Sequence, residues 1–300
     1  MADPAYAVPA YPQLLRAPGT SPWRALLGLL LAAAVAIALG VSVVSVALLL
    51  VRIAGGAATE DSLAPGTALG LLANNLVLAG LIPASVLAVA VVHRRPPGLL
   101  AGVTGAPRWG WLWRCLGVAA VVVLLAFGAG LLLPLEAGPG GAAGAGASGD
   151  AVWLLLLVIA VTTPLQAAGE EVAFRGYLTQ AIGSWFARPV LGAVVAGLVS
   201  ATLFALAHGS QNAWLFTDRL AFGLVASWLT WRTGGIEAAV ALHVANNLVT
   251  LAVTALSGEL QDALTVSSVS WPLATLDLGM VAAYALVVAR LTQRPPRPAL

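Results

Sequence analysis

Long, unbroken runs of apolar residues dominate the chain and are separated by short polar segments. A helix that spans a bilayer needs about 20 mostly apolar residues, and eight segments come close to or exceed this length. They lack the alternation of apolar and polar positions that marks the strands of a membrane barrel. The predicted spans are residues 25–51, 67–92, 115–133, 151–169, 189–208, 215–232, 236–256 and 271–290. The pattern predicts an all-α fold, a polytopic membrane helical bundle of about eight transmembrane helices.

The composition agrees with a membrane protein. Of the 300 residues, 60% are hydrophobic and 9% are charged, whereas soluble domains average about 25% charged residues. The lipid bilayer is therefore the first expected partner, and nothing in the sequence indicates a nucleic-acid partner or an oligomeric state. All 14 basic side chains are arginine. The bias toward Arg, Ala, Gly and Pro suggests a bacterial source.

The arginines are distributed unevenly between the predicted loops. With eight spans, only Arg52 and Arg219 fall on one side of the membrane. The arginines of the other side are Arg16, Arg24, Arg94, Arg95, Arg108, Arg114, Arg175, Arg188, Arg232, Arg290, Arg294 and Arg297. Because cytoplasmic loops carry the excess of basic residues, we expect a multi-pass protein of the plasma membrane with both termini in the cytoplasm.

Four segments follow from these patterns. Residues 1–24 are Pro-rich and polar, which predicts a disordered cytoplasmic tail. Residues 25–149 hold the first transmembrane helices and their linkers, ending in a Gly-rich stretch expected to be flexible. Residues 150–255 carry the candidate chemistry, and residues 256–300 hold the last transmembrane helix and a short basic tail.

An ionisable residue inside a span is a first candidate for function, since each costs at least about 2.5–3.5 kcal/mol to insert. Glu171 and Arg175 are spaced four apart with the acid first, the favourable order for an ion pair on a helix. Glu170 points about 100° away from Glu171. We therefore expect Glu171 to be neutralised by Arg175, leaving Glu170 free for chemistry.

Two further pairs lie one helical turn apart on apolar segments, Phe204 with His208 and His243 with Asn247. Glu170 and the two histidines could hold one zinc ion with an open position for water. The same groups without a metal could deprotonate a water that attacks a carbonyl, with the asparagine amide donating to the oxyanion. Each residue alone also fits ion pairing or packing between helices, and the joint occurrence favours a shared function.

At these residues the sequence resembles the CPBP family, the CAAX proteases and bacteriocin-processing proteins also called the Abi family. These are intramembrane endopeptidases related to the CAAX prenyl endopeptidase of eukaryotes. The matching positions are Glu170, Glu171 and Arg175 for the first motif, Phe204 and His208 for the second, and His243 and Asn247 for the third. The resemblance covers residues 150 to 255, which it implies are the catalytic core.

The resemblance implies hydrolysis of a peptide bond in a membrane-associated peptide or protein. Glu170 and His208 would activate the attacking water, and His243 and Asn247 would bind the oxyanion or complete a metal site. Glu171, Arg175 and Phe204 would support them. The family is described both as metalloproteases and as metal-independent glutamate proteases, so a Zn²⁺ ion on Glu170, His208 and His243 and a metal-free site both stay open.

Two other functions compete with a protease. One is a non-catalytic membrane immunity or scaffold protein that retains the family site, and the other is a transporter that uses the buried acid and histidines. The absence of inverted repeats weakens the transporter. Glu237 is expected to be an interfacial residue at the start of its helix.

The predicted spans also raise a conflict of depth. If the helices at 151–169 and 189–208 both cross fully, Glu170 and His208 lie roughly 28 Å apart by helical rise. Either the first helix continues past Glu170 toward Trp185, or the second stops in mid-membrane and "GSQNAWLF" forms a re-entrant turn.

Overall fold

The computed structural model describes residues 10–16, 22–57, 59–132 and 149–292, and these ranges are helices joined by short loops. Its α-helices are α1 (Pro22–Ile53), α2 (Ala68–Ala79), α3 (Leu81–Leu87), α4 (Trp109–Gly130), α5 (Gly149–Glu171), α6 (Thr179–Gly183), α7 (Pro189–Leu206), α8 (Ala213–Thr233), α9 (Glu237–Ser257), α10 (Leu260–Leu264) and α11 (Trp271–Leu291). Three short 3-10 helices cover Tyr11–Gln13, Glu60–Leu63 and Pro97–Leu100, and π-helical segments cover Ala88–His93 and Val172–Leu178.

The predicted polytopic helical bundle is confirmed. Within the described ranges, seven helices are long and apolar enough to cross a membrane. Two of them are composite, because π-helical segments extend α2 and α3 to His93 and join α5 to α6 up to Gly183. Each of the eight predicted spans coincides with one helix, but α8 falls short of a membrane span by composition. It carries Asp218, Arg219 and Arg232, which lower its hydropathy.

The helices run alternately in opposite directions, so their loops gather at two ends of the bundle. At one end Gln13 Nε2 donates to Phe186 O over 2.7 Å, and Val103 N donates to Gly234 O over 2.8 Å. We call this the arginine-rich end, since most of the arginines flank its loops. At the opposite end Asn212 N donates to Ser267 O over 2.8 Å. Which end faces the cytoplasm stays a prediction.

Part of the segment predicted to be a disordered tail is folded. Tyr11–Gln13 is a 3-10 helix, and Tyr11, Leu14 and Leu15 are buried against the bundle. The prediction was wrong for residues 10–16. Their Pro-rich composition is typical of disorder, but three of their side chains pack into a pocket of the bundle. The predicted tail also overlaps α1 at residues 22–24. Residues 1–9 and 17–21, most of the Gly-rich linker at 133–148, and the basic tail at 293–300 lie outside the described residues.

The main apolar core lies between α4, α8, α9 and α11. Its buried members include Cys115, Leu229, Leu242 and Tyr284. α9 also packs against α5, which in turn packs closely against α2. The helices α5 and α9 thus pack against each other near the centre of the bundle, and they carry the candidate residues Glu170 and His243.

Gly169 sets the distance between α5 and α2. A Cβ atom placed there would meet Leu78 O and lie 3.1 Å from Ala79 Cα, so only glycine fits. Small residues at such crossings allow the close backbone approach on which helix packing in membranes depends. The neighbouring residue is Glu170, and its depth and direction therefore depend on this contact.

We predict that Gly169→Ala destabilises the protein by about 1–3 kcal/mol, the usual cost of overpacking. Thermal unfolding in detergent measures the effect. Gly279→Ala is the matched control, since a Cβ on that exposed helical glycine has nothing within 4 Å. Equal unfolding midpoints for the two variants would contradict the assigned contact.

Candidate active site

The long composite helix formed by α5, the π-helical segment Val172–Leu178 and α6 resolves the conflict of depth. Gly183 and Gly192 of α7 lie at the same depth along the bundle, because a Cβ on Gly192 would sit 3.1 Å from Gly183 O. Glu170 is 13 residues before Gly183 and His208 is 16 residues after Gly192. At 1.5 Å per residue these are depths of roughly 20 and 24 Å. The first alternative is the one observed: the helix continues past Glu170, and the two residues share a depth.

Glu171 is the centre of the site. Arg175 Nη1 donates to Glu171 Oε1 over 2.8 Å, and both side chains are fully buried. His243 Nδ1 lies 2.8 Å from the same oxygen. The predicted pair of Glu171 and Arg175 therefore forms, but the carboxylate has a second partner that the sequence did not reveal. Glu171 fixes the position of the His243 ring as well as neutralising Arg175.

Glu170 lies on the other side of the His243 ring. Its Oε2 is 3.3 Å from His243 Nε2 and makes no hydrogen bond to any described residue. Both nitrogens of one imidazole thus face a carboxylate, and Nδ1–H is committed to Glu171. A proton can then pass only between Nε2 and Glu170. The geometry is that of an acid–base pair in which a second carboxylate, that of Glu171, orients the histidine, as nucleophile-activating sites require.

Aromatic rings cover the buried cation. The Arg175 guanidinium carbon lies 4.2 Å from the centroid of the Phe204 ring, and Phe222 stacks on Phe204 with centroids 5.8 Å apart. Arg175 Nε and Nη2 have no hydrogen-bond partner among the described residues. Cation–π contact replaces part of their missing solvation. Phe222, whose ring is also 5.2 Å from that of His243, was not identified from the sequence because no motif includes it.

The π-helical segment ties this first motif to α7. Its wider turn leaves Phe174 O to accept from Ser200 Oγ of α7 over 2.8 Å and from Thr179 Oγ1 over 2.9 Å. Single π-helical turns inside α-helices are often found at functional sites. Ser200 lies one turn before Phe204, so this hydrogen bond also helps to place the aromatic cover.

His208 lies beyond the end of α7, at the exposed edge of the site. Its Nδ1 donates to Phe204 O over 2.7 Å, and its ring meets the Phe204 ring edge-on at 4.7 Å. The neutral ring therefore presents Nε2 as its unprotonated nitrogen. Glu170 and His243 are close enough to influence its charge, yet no hydrogen bond joins His208 to either of them in the described structure.

Asn247 lies one turn beyond His243 on α9. Its Nδ2 donates to Gln166 Oε1 over 3.1 Å, and Gln166 is a buried residue one turn before Glu170. Asn75 Nδ2 of α2 donates to Thr162 Oγ1 over 2.8 Å, one turn earlier still. Gln166 was missed by the sequence analysis, although the polar residues at 162, 166 and 170 follow helical spacing and could have indicated it.

The described residues do not fit a zinc ion. No three His, Cys, Asp or Glu side chains among them are placed to hold one metal together. His243 directs both ring nitrogens at carboxylate oxygens, and His208 stays at the edge of the site. The expected ligand set of Glu170, His208 and His243 is thus not assembled in this arrangement.

The comparisons with known proteins match the segment that contains these residues. Residues 150–249 match the family described as "Type II CAAX prenyl endopeptidase Rce1-like", and all three motifs fall inside this segment. Residues 150–249 are thus similar to the CAAX protease family. A relative in Bacillus subtilis (strain 168), described as "Uncharacterized protein YyaK", is 36% identical over 99 residues, which is 32% of this chain and 33% of the relative. The match thus spans about a third of that relative. No solved structure matches the chain.

One residue from outside the matched segment, Arg108, fixes the start of α9. Arg108 Nε and Nη2 donate to Glu237 Oε1 and Oε2 over 2.8 and 2.6 Å, and Arg108 Nη1 donates to Thr233 O over 2.9 Å. Glu237 was expected to be interfacial and is instead buried. The paired residues are 129 positions apart, so no local pattern could have joined them. The contact anchors α9 two turns before His243.

We predict that Arg175→Leu destabilises the protein by about 3–5 kcal/mol, because it leaves the fully buried Glu171 without its cation. Thermal unfolding of the purified protein in detergent measures the loss. Arg188→Ala is the control, since this exposed arginine lies on the same end of the bundle and should change stability by less than about 0.5 kcal/mol. A similar small loss for Arg175→Leu would show that Glu171 does not depend on the pair.

Proposed function

We propose that the chain is an intramembrane endopeptidase that hydrolyses a peptide bond of a membrane-bound peptide or protein. The observation that carries this proposal is the unpartnered Oε2 of Glu170, placed 3.3 Å from His243 Nε2 while Glu171 holds Nδ1. A carboxylate with a free oxygen beside an oriented imidazole can bind a water and take its proton. The match of residues 150–249 to the CAAX protease family supports the same reaction.

In the proposed reaction, Glu170 removes a proton from water while the water oxygen attacks the scissile carbonyl carbon. The Nε2 of His243 shares that proton with Glu170, and Glu171 stabilises the charge that the ring gains. Collapse of the tetrahedral intermediate breaks the carbon–nitrogen bond. The leaving amine takes that proton from Glu170, and the unprotonated Nε2 of His208 can accept the remaining water proton as the new carboxyl group ionises.

Asn247 is the proposed oxyanion donor. Its amide nitrogen has two hydrogens, and the bond to Gln166 uses one of them. The second is available to the carbonyl oxygen of a substrate as negative charge develops on it. Each of these steps uses only side chains of the chain itself.

We place the reaction at the membrane and the arginine-rich end of the bundle in the cytoplasm. Seven apolar helices make the chain a multi-pass membrane protein. The arginine bias supports the orientation, and the composition supports a bacterial source. The proposed substrate is therefore anchored in or on the same membrane.

We predict that Glu170→Gln abolishes cleavage without loss of folded protein, because the amide keeps the size of the side chain but cannot accept the proton. Membrane proteomics of source cells carrying each variant measures the accumulation of uncleaved substrate. Glu259→Gln is the matched control, since Glu259 is exposed at the opposite end of the bundle. Unchanged processing of the substrate in both Glu170→Gln and His243→Gln would rule out the proposed reaction. If both variants still give the cells the phenotype that the wild-type protein gives, a scaffold function would be favoured.

We predict that Gln166→Leu slows cleavage by 10-fold or more. Loss of an oxyanion donor lowers kcat 10²–10³-fold, and a donor that is present but less firmly held lowers it less. The release of Asn247 should lower kcat and leave KM nearly unchanged. The substrate identified in the Glu170→Gln cells provides the assay. Full activity of Gln166→Leu together with inactivity of Asn247→Ala would show that Asn247 needs no support from Gln166.

A further inference from the structure

A pocket at the arginine-rich end holds residues 10–16 in the manner of a bound peptide. Tyr11 Oη donates to Leu100 O over 2.6 Å, and Gln13 Nε2 donates to Phe186 O over 2.7 Å. These acceptors are main-chain carbonyls of loops that are distant in sequence. The pocket therefore supplies specific polar contacts along the whole length of a short segment.

The apolar contacts of the segment are equally complementary. Leu14 is fully buried in a cluster with Leu99, Val103 and Ile236, and Arg95 Nη2 donates to Leu14 O over 3.3 Å. Leu15 is buried in a neighbouring cluster of the bundle. The segment thus presents an aromatic hydroxyl, a proline, an amide and two aliphatic side chains to a surface that matches each of them.

Gly183, at the end of α6, packs directly against Pro12 of the segment. A Cβ atom at this position would meet Pro12 O and lie 2.7 Å from Pro12 Cβ. The pocket floor is thus shaped around the backbone of the segment and has no room for a side chain of its own.

The inner wall of this pocket is formed by the helices of the catalytic core. Val172 and Val240 pack against the cluster that contains Tyr11 and Leu14. Val172 directly follows Glu171, and Val240 lies one turn before His243. The occupied pocket therefore seals the arginine-rich side of the pair formed by Glu171 and His243.

Buried polar atoms behind this seal lack partners. Glu171 Oε2 and Gln180 Oε1 make no hydrogen bond to any described residue, although Gln180 Nε2 donates to Leu99 O over 2.7 Å. Buried polar atoms without a protein partner are costly, and water that enters an opened pocket would satisfy them. Departure of the segment would therefore recover part of this cost.

We propose that the pocket is a peptide-binding site, that residues 10–16 are its tethered occupant, and that their departure opens the arginine-rich side of the Glu171–His243 pair. The ligand class is a short peptide with the pattern aromatic, proline, amide, aliphatic, aliphatic. The proposal concerns occupancy and access, so it does not rest on the proposed proteolysis.

The test uses the full chain with Leu14→Asp, which expels the segment and leaves the pocket unaltered. Access is measured in detergent by mass spectrometry as the rate at which N-ethylmaleimide modifies Val240→Cys, a position of the pocket wall, with the buried Cys115 as the internal reference. We expect the rate at position 240 to rise at least 10-fold when Leu14→Asp is added and to stay unchanged when Arg16→Ala, at an exposed position of the same segment, is added. The acetylated, amidated peptide AYPQLLR should restore protection, and the same peptide with aspartate in place of Leu14 should not.

An unchanged rate at position 240, or a raised rate that the peptide does not reverse, would overturn the proposal. If Leu14→Asp does not fold, Tyr11→Ala replaces it, because this change removes the contact with Leu100 O without placing a charge in the pocket. Folding is checked by thermal unfolding. Loss of the folded state in both variants would make the segment an integral part of the core and would equally overturn the proposal.

Discussion

The buried carboxylate of Glu171 is the interaction on which the site depends. An unpaired charge in the interior of a membrane protein is expensive, and Arg175 and Glu171 cancel each other inside a fully buried pair. Because Glu171 binds the Nδ1 side of the His243 ring, the Nε2 side of that ring is left facing Glu170 at 3.3 Å. One buried ion pair thus fixes the ring whose other nitrogen lies beside the second carboxylate.

The surrounding fold serves to hold these groups in register. Gly169 lets α5 approach α2 next to Glu170, and the bond from Ser200 to Phe174 O ties α7 to the π-helical turn. Arg108 and Glu237 fix the start of α9, and the aromatic rings around Arg175 exclude water from its unpaired nitrogens. Each contact joins a different pair of elements. The site is therefore a property of the whole bundle, although the residues that carry the family match occupy only a third of the chain.

Local patterns were sufficient to predict the helical bundle, the positions of its eight long helices and the ion pair of Glu171 with Arg175. They failed where a partner is distant in sequence or where a polar stretch stays helical. Hydropathy ended the fourth span at residue 169, because the charged residues that follow look like a loop until their buried partners are known. The partners of Glu237, Asn247 and residues 10–16 lie 81 or more positions away. No periodicity encodes such contacts.

The two sides of the site differ in a way that bears on how a substrate could reach it. Glu171 and Arg175 lie toward the arginine-rich end and are sealed by protein, whereas Gln166 and Asn247 lie toward the opposite end of α5 and α9. His208, at the edge beyond α7, is exposed. A peptide chain that approaches past His208 would therefore meet the proposed reacting groups first, with their supports behind them. Such an order protects the buried ion pair from solvent.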